Sequence, residues 1–449
     1  MEIRLPKNVK KIIDTLEQAG YEAYAVGGCV RDSVLGREPN DWDITTSARP
    51  LETKALFKRT VDTGLQHGTV TVLLDGEGYE VTTYRIDGEY EDGRHPKEVQ
   101  FTEKLVEDLR RRDFTINAMA YNEREGLVDA FDGIGDMERG VIRCVGDAGE
   151  RFTEDALRIL RAVRFSAQLG FSIEENTREA IERLAKNLEK ISAERIQAEM
   201  VKLLASPHPG ELRTAWETGI TAVILPEFDA MMETEQHTPH HWGSVGEHTL
   251  RGLESVEPDR TLRLAMLLHD AGKPALRTTD EEGRDHFIGH PEAGERIAEQ
   301  VLRRWKMDND TIGRVKRLVR FHDLRPVPTP RSVRRMIYKV GEELFPSLLL
   351  VQRADILAQS NYRQEEKLRA LEETERIYRE ILAARQCLSI RGLAVGGRDL
   401  IADGMKPGPA LGRTLTALLE HVLEEPEHNT KEYLLALSRA LRQGEPPLF

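Results

Sequence analysis

The sequence predicts an α+β N-terminal region followed by a longer part made of helices. Two strand patterns, residues 70–74 and 79–84, flank the turn Asp75-Gly76-Glu77-Gly78, as in a β-hairpin. The informative segments beyond residue 146 have helical patterns instead. At 449 residues the chain is too long for one hydrophobic core, so several domains are expected.

Composition indicates a soluble globular protein. Hydrophobic residues make up 39% and charged residues 31% of the chain, and the mean hydropathy is −0.48. No apolar run is long enough to span a membrane, and no signal-peptide pattern is found. Three scattered cysteines (Cys29, Cys144 and Cys387) argue against a disulfide framework and favour a cytoplasmic location. The net charge of −13 means that a nucleic-acid partner would need a local basic surface.

A glycine turn between an apolar run and a helix is the first pattern that indicates a function. Residues 24–26 read as a strand, Gly27 and Gly28 as the turn, and residues 30–35 as a helix. Backbone N–H groups at the start of a helix can bind phosphate, and Arg31 lies where a cation could clamp a triphosphate oxygen. Alone, such a turn is more often only a tight connection.

Two carboxylates follow the turn in the string NDWDI. If this segment is extended, Asp41 and Asp43 point to the same face, because side chains alternate along a strand. Carboxylates that close repel each other unless a divalent cation joins them, and oxygen ligands suit Mg²⁺. A D-x-D pair is also common on exposed loops. Together, the phosphate cradle and the carboxylate pair predict metal-assisted nucleotidyl transfer.

The strings GGCVRD and NDWDI resemble the nucleotidyltransferase signature of the DNA polymerase beta superfamily. They look most like its class II branch, the tRNA nucleotidyltransferases and poly(A) polymerases that include the bacterial CCA-adding enzymes. The resemblance implies that Asp41 and Asp43 are catalytic and hold Mg²⁺, and that Gly27, Gly28 and Arg31 bind the nucleotide.

Two neighbouring features remain open from the sequence. Glu80 shares a strand face with Thr82 and Tyr84, and is either a third carboxylate of the site or a solvated strand position. Residues 86–98 (IDGEYEDGRHPKE) predict a mobile loop, which is either an ordinary surface loop or one that orders around nucleotide and primer.

Basic residues precede Asp113 in the string LRRRDFTINAMAY, residues 109–121. Their charge fits an anion site, but basic residues are also typical of a helix C-terminus. The part RRDFTINAM resembles the class II ribose-recognition motif. By that resemblance, Arg112 and Asp113 contact the sugar 2′-hydroxyl, and Asn117 supports the site.

Residues 151–164 (RFTEDALRILRAVR) predict one helix, with Thr153 as its N-cap. Apolar residues, among them Phe165, supply a packing face. Acid–base pairs at helical spacing are also found on ordinary amphipathic helices, where they stabilise the surface.

The same segment, read as E-D-x-x-R-x-x-R, resembles the class II base-selecting motif. The resemblance implies that Asp155 accepts from the exocyclic amino group that cytosine and adenine share, while Arg158 donates to the neighbouring ring acceptor. Uracil and guanine would leave Asp155 unsatisfied, so CTP and ATP are favoured. Arg161 and Arg164 are expected to face phosphates.

Eight of the 13 histidines lie between residues 237 and 322. The string LRLAMLLHDAGKP (262–274) places a His-Asp pair at the end of an apolar helix, where buried polar groups need partners. With one His upstream and one Asp downstream, the pattern resembles the HD phosphohydrolase superfamily, although single helical histidines are more often core residues. The implied residues for a divalent transition metal are His248, His269, Asp270 and Asp355, with His290 and His322 for a second ion or a substrate phosphate.

Taken together, the resemblances imply a polymerase-beta-like α+β head with a mixed sheet, followed by all-α neck, body, HD and tail regions. The expected domains are residues 1–145 as nucleotidyltransferase head, 146–230 as helical neck with base recognition, 231–365 as HD domain and 366–449 as tRNA-binding tail.

The implied function is addition of CCA to the tRNA 3′ end from CTP and ATP, without a nucleic-acid template. The partners would be tRNA, ATP and CTP, and the cofactor Mg²⁺. Three alternatives stay open: addition of only CC, only A or a poly(A) tail; an HD-type phosphohydrolase acting on RNA ends; and a non-catalytic RNA-binding protein.

Overall fold

The computed structural model describes residues 2–87, 99–241 and 243–443. The chain divides into two compact units, residues 1–229 and 230–449. The loop predicted at residues 86–98 lies outside the described residues from position 88 onward. The four domain boundaries expected from the sequence stay predictions.

The first unit contains, within its described residues, a mixed sheet of seven strands in the order β3-β4-β5-β2-β1-β8-β9. Strands β2 and β5 pair in parallel, and the other neighbours pair antiparallel. The strands of this unit are β1 Ala23–Val26, β2 Ile44–Thr46, β3 Thr60–Gly64, β4 Thr69–Leu74, β5 Glu77–Thr83, β6 Arg85–Asp87, β7 Val99–Phe101, β8 Met119–Asn122, β9 Gly126–Asp129, β10 Val141–Ile142 and β11 Ser172–Ile173.

The predicted hairpin is confirmed as β4 and β5, which pair from Thr69↔Thr82 to Leu74↔Glu77. Asp75 and Gly76 form the turn, and both have positive φ, 51° and 87°. Two consecutive residues with positive φ match the twist of the flanking strands, which is why an Asp-Gly pair is suited to this turn.

Helices cover the sheet and make up the rest of the first unit. The helices are α1 Lys7–Gln18, α2 Gly28–Val34, α3 Pro50–Leu56, α4 Leu105–Arg110, α5 Gly133–Arg139, α6 Ala148–Glu154, α7 Leu157–Leu169, α8 Glu175–Leu184, α9 Ala193–Leu204, α10 Leu212–Glu217 and α11 Ile220–Ile224.

The prediction of a single helix over residues 151–164 is wrong, because the helix is broken at Asp155. The Asp155 side chain accepts a hydrogen bond from the Leu157 N–H at 3.0 Å, so it caps a new helix, α7, instead of continuing α6. Short Asp side chains compete in this way with backbone helix bonds. Thr153 is not a cap either, since its hydroxyl donates to the Gly149 carbonyl inside α6.

Strand β1 carries the chain into the glycine turn. All four of its residues are buried. Tyr24 and Val26 pack against Tyr84, Leu109 and Ala118 in one apolar cluster. The strand therefore fixes where the turn begins.

The second unit is mostly helical in its described residues. Two of its helices, α14 and α18, are almost wholly buried and carry or end beside predicted metal ligands. Its short strands are β12 Thr278–Thr279 and β13 Asp285–His286, and the remaining helices of the chain are α12 Pro226–Glu233, α13 Val245–Ser255, α14 Arg260–Leu268, α15 His290–Arg304, α16 Asn309–Phe321, α17 Pro330–Val340, α18 Phe345–Ala358, α19 Gln364–Ala383, α20 Gly397–Ala402, α21 Pro409–Glu424 and α22 Lys431–Gln443.

None of the helices in the described residues combines the length and apolar character that crossing a lipid bilayer requires.

Candidate functional site

The turn at Gly27 strongly favours glycine. Its φ is +83°, and a Cβ atom there would lie 2.8 Å from Nη1 of Arg112. The Gly27 carbonyl accepts the N–H groups of Val30 and Arg31, each at 3.1 Å, which starts α2 immediately after the strand. The turn therefore brings Arg31 and Arg112, distant in sequence, to the same place.

Arg31 is held in a defined position by polar partners. Its side chain is buried, Nη1 donates to Oδ1 of Asn117 at 2.7 Å, and Nε donates to Oδ1 of Asp32 at 2.9 Å. Asn117 in turn donates from Nδ2 to Oδ1 of Asp113 at 3.1 Å. The structure thus brings together three residues that the sequence analysis assigned to nucleotide binding.

The predicted carboxylate pair lies directly beside the glycine turn. The Asp43 carbonyl accepts the N–H of Val26 at 3.0 Å. The observed strand β2 begins only at Ile44, so Asp41 and Asp43 lie just before the strand and not within it. Both side chains are exposed and available to a ligand.

Glu80 joins this pair as a third carboxylate. In the parallel pairing of β2 and β5, Ile44 lies opposite Val81, and both are buried. The preceding residues, Asp43 and Glu80, therefore face the opposite side of the sheet, next to each other. Desolvation, followed by the charges of Asp43 and Asp41, raises the pKa of Glu80 above its usual value.

The pKa of Asp43 is also raised, by desolvation and by the charge of Asp41, although Arg112 acts in the opposite direction. In the part of the chain that the structure describes, no lysine or arginine forms an ion pair with Asp41, Asp43 or Glu80. Three interacting carboxylates without an ion-paired lysine or arginine are the donor set that a hard divalent cation would neutralise, so the residues present fit such a metal.

Of the predicted ribose-binding pair, Asp113 is fully engaged by the protein. Its carboxylate accepts from the Phe114 N–H at 2.9 Å, from Asn117, and from Nε of Arg161 at 2.8 Å. Burial alone would raise the pKa of Asp113, but Arg161 and these hydrogen bonds hold it well below its usual value. The geometry gives Asp113 a supporting position, and its contact with a ribose stays a prediction.

Arg112 is the member of this pair that faces the glycine turn. Its closest acidic partner in the described residues is Asp108, whose Oδ2 lies 3.6 Å from Nη2. The buried Nε of Arg112 has no hydrogen-bond acceptor among those residues. The contact of Arg112 with a ribose stays a prediction.

The predicted base-reading pair, Asp155 and Arg158, is held by separate protein partners. Oδ2 of Asp155 accepts from Nη2 of Arg195 at 2.7 Å. The Arg158 guanidinium pairs with Glu154 at 2.6 Å and donates to the Arg111 carbonyl at 2.9 Å. Arg158 thus lies next to the segment that carries Arg112. Whether the pair reads a base is not decided by these contacts and stays a prediction.

Arg161 and Arg164 both form ion pairs inside the protein. Glu199 lies 2.5 Å from Nε of Arg164 and 3.9 Å from Nη1 of Arg161. Burial lowers the pKa of Arg164 to about 10, whereas Asp113 and Glu199 outweigh burial and raise that of Arg161. The expected phosphate contacts of these two arginines stay predictions, and the structure gives both of them carboxylate partners instead.

The second unit brings all six predicted histidine and aspartate residues into one buried cluster. Nε2 of His248 lies 2.8 Å from Oδ1 of Asp355 and 3.2 Å from Nε2 of His269. His269 lies 3.2 Å from Oδ2 of Asp270. Two sets of three residues have ligand atoms close enough to share an ion: His248, His269 and Asp270, and Asp270, His290 and His322.

Hydrogen bonds at the outer ring nitrogens fix how three of the histidines face the cluster. Nδ1 of His269, His290 and His322 lies 2.8, 2.9 and 2.7 Å from the backbone carbonyls of Met266, Phe287 and Val319. These bonds assign the proton to Nδ1 and leave the Nε2 lone pairs pointing inward.

The inward-facing atoms are acceptors that repel each other. Nε2 of His290 and Nε2 of His322 lie 3.3 Å apart, and each lies 3.5 Å from Oδ1 of Asp270. Asp270 is ionised, because Lys273 pairs with its Oδ2 at 2.7 Å and its pKa lies well below the usual value despite burial. A cation bound between these atoms would remove the repulsion, and imidazole with carboxylate is a donor set that suits transition metals.

A cleft of about 510 Å³ opens beside the cluster. Lys273 contacts Asp270 at 2.7 Å, and Arg325 forms an ion pair with Asp355. Both cations line the cleft, together with Lys367, Asp285 and Asp323. The sequence analysis missed both residues, although each follows a predicted ligand by three positions, Lys273 after Asp270 and Arg325 after His322.

Comparison with known proteins places this geometry in a family. The CCA-adding enzyme of Lactiplantibacillus plantarum is 38% identical over 448 residues, covering 97% of this chain and 96% of that protein. The chain belongs to the family of CCA-adding enzymes. As a CCA-adding enzyme it is a tRNA nucleotidyltransferase. A second relative supports this assignment: the CCA-adding enzyme of Streptococcus thermophilus is 35% identical and is matched over 98% of both chains.

Family models and solved structures match the same assignment. Residues 23–143 match the Poly A polymerase head domain, 170–232 the probable RNA and SrmB-binding site of polymerase A, and 286–437 the putative tRNA nucleotidyltransferase domain 2. The crystal structure of the Bacillus stearothermophilus CCA-adding enzyme in complex with CTP is 32% identical, with a TM-score of 0.73 over 97% of this chain and 96% of that one.

The predicted fold class, an α+β head with a mixed sheet followed by helical regions, is confirmed. A head of this kind implies a divalent metal, and the histidine cluster is a possible second metal site.

Proposed function

We propose that the glycine turn and the three carboxylates beside it form the centre at which this CCA-adding enzyme transfers nucleotides. The supporting observation is the convergence of Gly27, Arg31, Arg112 and the carboxylate pair, which are joined by the 3.0 Å bond from Val26 to Asp43 and the close approach of Arg112 to Gly27. The substrates would be tRNA, CTP and ATP; CTP is bound in the similar Bacillus enzyme.

In this proposal the tRNA 3′-hydroxyl attacks the nucleotide α-phosphate and pyrophosphate leaves. Arg31 and the turn at Gly27 and Gly28 bind the triphosphate, and Arg112 orients the ribose while Asp113 and Asn117 hold the arginines in place. Asp41 and Asp43, with Glu80 alongside, would hold Mg²⁺. Bound there, Mg²⁺ would activate the hydroxyl and stabilise the leaving oxygens.

Asp155 and Arg158 are proposed to read the base. Each of the two side chains is already held by a protein partner, so the Asp155 carboxylate and the Arg158 guanidinium are oriented before a nucleotide binds. Hydrogen bonds to the base would form in addition to these protein contacts. The division into head (1–145), neck (146–230), HD (231–365) and tail (366–449) domains remains our proposal. A cytoplasmic location is proposed too, since tRNA and nucleotides are found there and all three thiols are free.

Addition assays with the carboxylates neutralised test the centre. Asp41→Asn should abolish incorporation of CTP and ATP into a tRNA that lacks its CCA end, with the thermal midpoint retained. Asp62→Asn is the matched control, because Asp62 is an exposed acid of the same unit outside the site. Normal incorporation by Asp41→Asn would contradict the assignment. Supplying CTP and ATP singly and together separates full CCA addition from partial addition.

A second activity, metal-dependent phosphate hydrolysis, is favoured by the histidine cluster. We propose that His248, His269, Asp270 and Asp355 hold a divalent transition metal, that His290 and His322 extend the site, and that RNA ends with a phosphate are its substrates. In the chain itself, Lys273 and Arg325 would bind the phosphate in the adjoining cleft.

Metal content and phosphate release test this second site separately. His269→Ala should lower the bound transition metal and abolish phosphate release from a 3′-phosphorylated tRNA, while nucleotide addition continues. His286→Ala is the control, because His286 is exposed and lines the cleft without belonging to either ligand set. A wild-type protein without bound metal or phosphate release would rule the second activity out.

A further inference from the structure

One buried aromatic ring lies against three arginines of the first unit. The guanidinium carbon of Arg164 lies 3.7 Å from the centroid of the Phe165 ring, that of Arg31 5.0 Å and that of Arg161 5.3 Å. Phe165 is 4% exposed. In the sequence this residue falls one position beyond the base-selecting string, where it was expected only to contribute to a packing face.

The ring joins three separate segments. Arg31 comes from α2, Arg161 and Arg164 come from α7, and Phe114, which meets the Phe165 ring edge-on at 5.8 Å, directly follows Asp113. These are the segments to which triphosphate, ribose and base contacts are assigned. Phe165 is therefore the common contact between them.

The charges around the ring are balanced. Arg31 is paired with Asp32, Arg161 with Asp113, and Glu199 lies against Arg164. An aromatic face attracts a guanidinium electrostatically, and the attraction grows when water is excluded. Asp32 and Asn117 accept hydrogen bonds from the Arg31 guanidinium, and the Phe165 ring adds a contact with its central carbon at 5.0 Å.

We propose that Phe165 is a positioning residue for nucleotide binding, which holds the Arg31 guanidinium in the orientation that receives the triphosphate. This inference rests on the proposed role of Arg31. An arginine already confined to one orientation loses less entropy when it binds an anion, so the ring increases affinity without touching the nucleotide. The triphosphate is common to CTP and ATP, so the effect must be the same for both.

The experiment compares KM and kcat for CTP on a tRNA lacking CCA and for ATP on a tRNA ending in CC. Phe165→Leu keeps an apolar side chain but removes the π face, and is expected to raise both KM values by about fivefold with kcat within about twofold. Phe165→Tyr keeps the ring and should restore KM. Phe152→Leu is the control for a buried phenylalanine, since no guanidinium of a described residue lies over its ring; it should lower the thermal midpoint and leave KM unchanged.

Combination with Arg31→Ala separates the two hypotheses. If the ring acts through Arg31, adding Phe165→Leu to Arg31→Ala raises KM no further, because the coupled contributions are not additive. A normal KM in Arg31→Ala would refute the triphosphate role itself. A raised KM in Arg31→Ala with a normal KM in Phe165→Leu would refute only the positioning role of Phe165. A KM in Phe165→Leu that rises for CTP but not for ATP, or for ATP but not for CTP, would refute it as well.

Discussion

Replacing Gly27 by alanine should damage both stability and nucleotide binding, for two reasons that can be separated. The backbone at Gly27 has φ +83° and ψ −130°, a conformation that residues with a Cβ rarely adopt. Holding alanine there costs about 1–3 kcal/mol. The new Cβ would also lie 2.8 Å from Nη1 of Arg112, so the arginine must move.

The strain sets the loss of stability. For a unit of about 230 residues, each kcal/mol lowers the thermal midpoint by about 2–4 °C, so a decrease of roughly 2–12 °C is expected. Displacement of Arg112 affects the ligand instead. A charge-assisted hydrogen bond contributes about 1.5–3 kcal/mol, so its loss predicts a rise in KM for CTP and ATP of about tenfold or more.

Gly20→Ala provides the matched control. Gly20 has a similar φ, +92°, but no heavy atom lies within 4 Å of its added Cβ. Gly20→Ala should therefore lower the thermal midpoint without changing KM. The assay is CTP addition to tRNA lacking CCA, alongside thermal unfolding of both variants. A folded Gly27→Ala protein with normal KM would refute the reasoning. A double variant, Gly27→Ala with Arg112→Ala, whose KM is higher than that of Arg112→Ala alone would also refute it.

The remaining predictions concern base choice, charge and the thiols. Exchanging the charges, Asp155→Arg with Arg158→Asp, should relax the preference for CTP and ATP over UTP and GTP, and an unchanged preference would remove base reading from these residues. The raised pKa of Glu80 means that its ionised form destabilises the fold. This destabilisation is absent below the ordinary pKa of glutamate and complete above the raised pKa of Glu80. Glu80→Gln should therefore raise the thermal midpoint at pH 7 without Mg²⁺ and have no such effect near pH 3. Burial raises the pKa of Cys29 to about 11 and of Cys144 to about 12, so in thiol titration at pH 7.5 both should react only after unfolding.

The sequence strings predicted which residues come together better than what those residues contact. GGCVRD and NDWDI are close in the chain, so a local turn and a strand start were enough to place Asp43 beside the glycine turn. In the histidine cluster, the pair His269-Asp270 was found because it ends an apolar helix, where burying a polar side chain without a partner is costly. The other four residues came from the resemblance to the HD phosphohydrolase superfamily.

Ion-pair partners could not be predicted, because they depend on tertiary contacts. Asp113 meets Arg161 from 48 positions away, and Asp155 meets Arg195 from 40. Helical spacing gave no sign of either pair. The helix break at Asp155 did leave a local signal, since aspartate is a preferred N-cap, but Thr153 offered a similar signal two residues earlier.

If Asp155 and Arg158 read the base as we propose, their protein contacts would explain how side chains can choose a base without a template. A flexible carboxylate facing uracil could rotate and find water, and the wrong base would cost little. Asp155 is held by the Leu157 N–H and by Arg195, and Arg158 by Glu154 and the Arg111 carbonyl. A wrong base would therefore leave a fixed acceptor facing another acceptor, at the cost of an unpaired buried polar group, about 1–3 kcal/mol. Selection on this scale needs rigid reading groups, and the protein partners supply the rigidity.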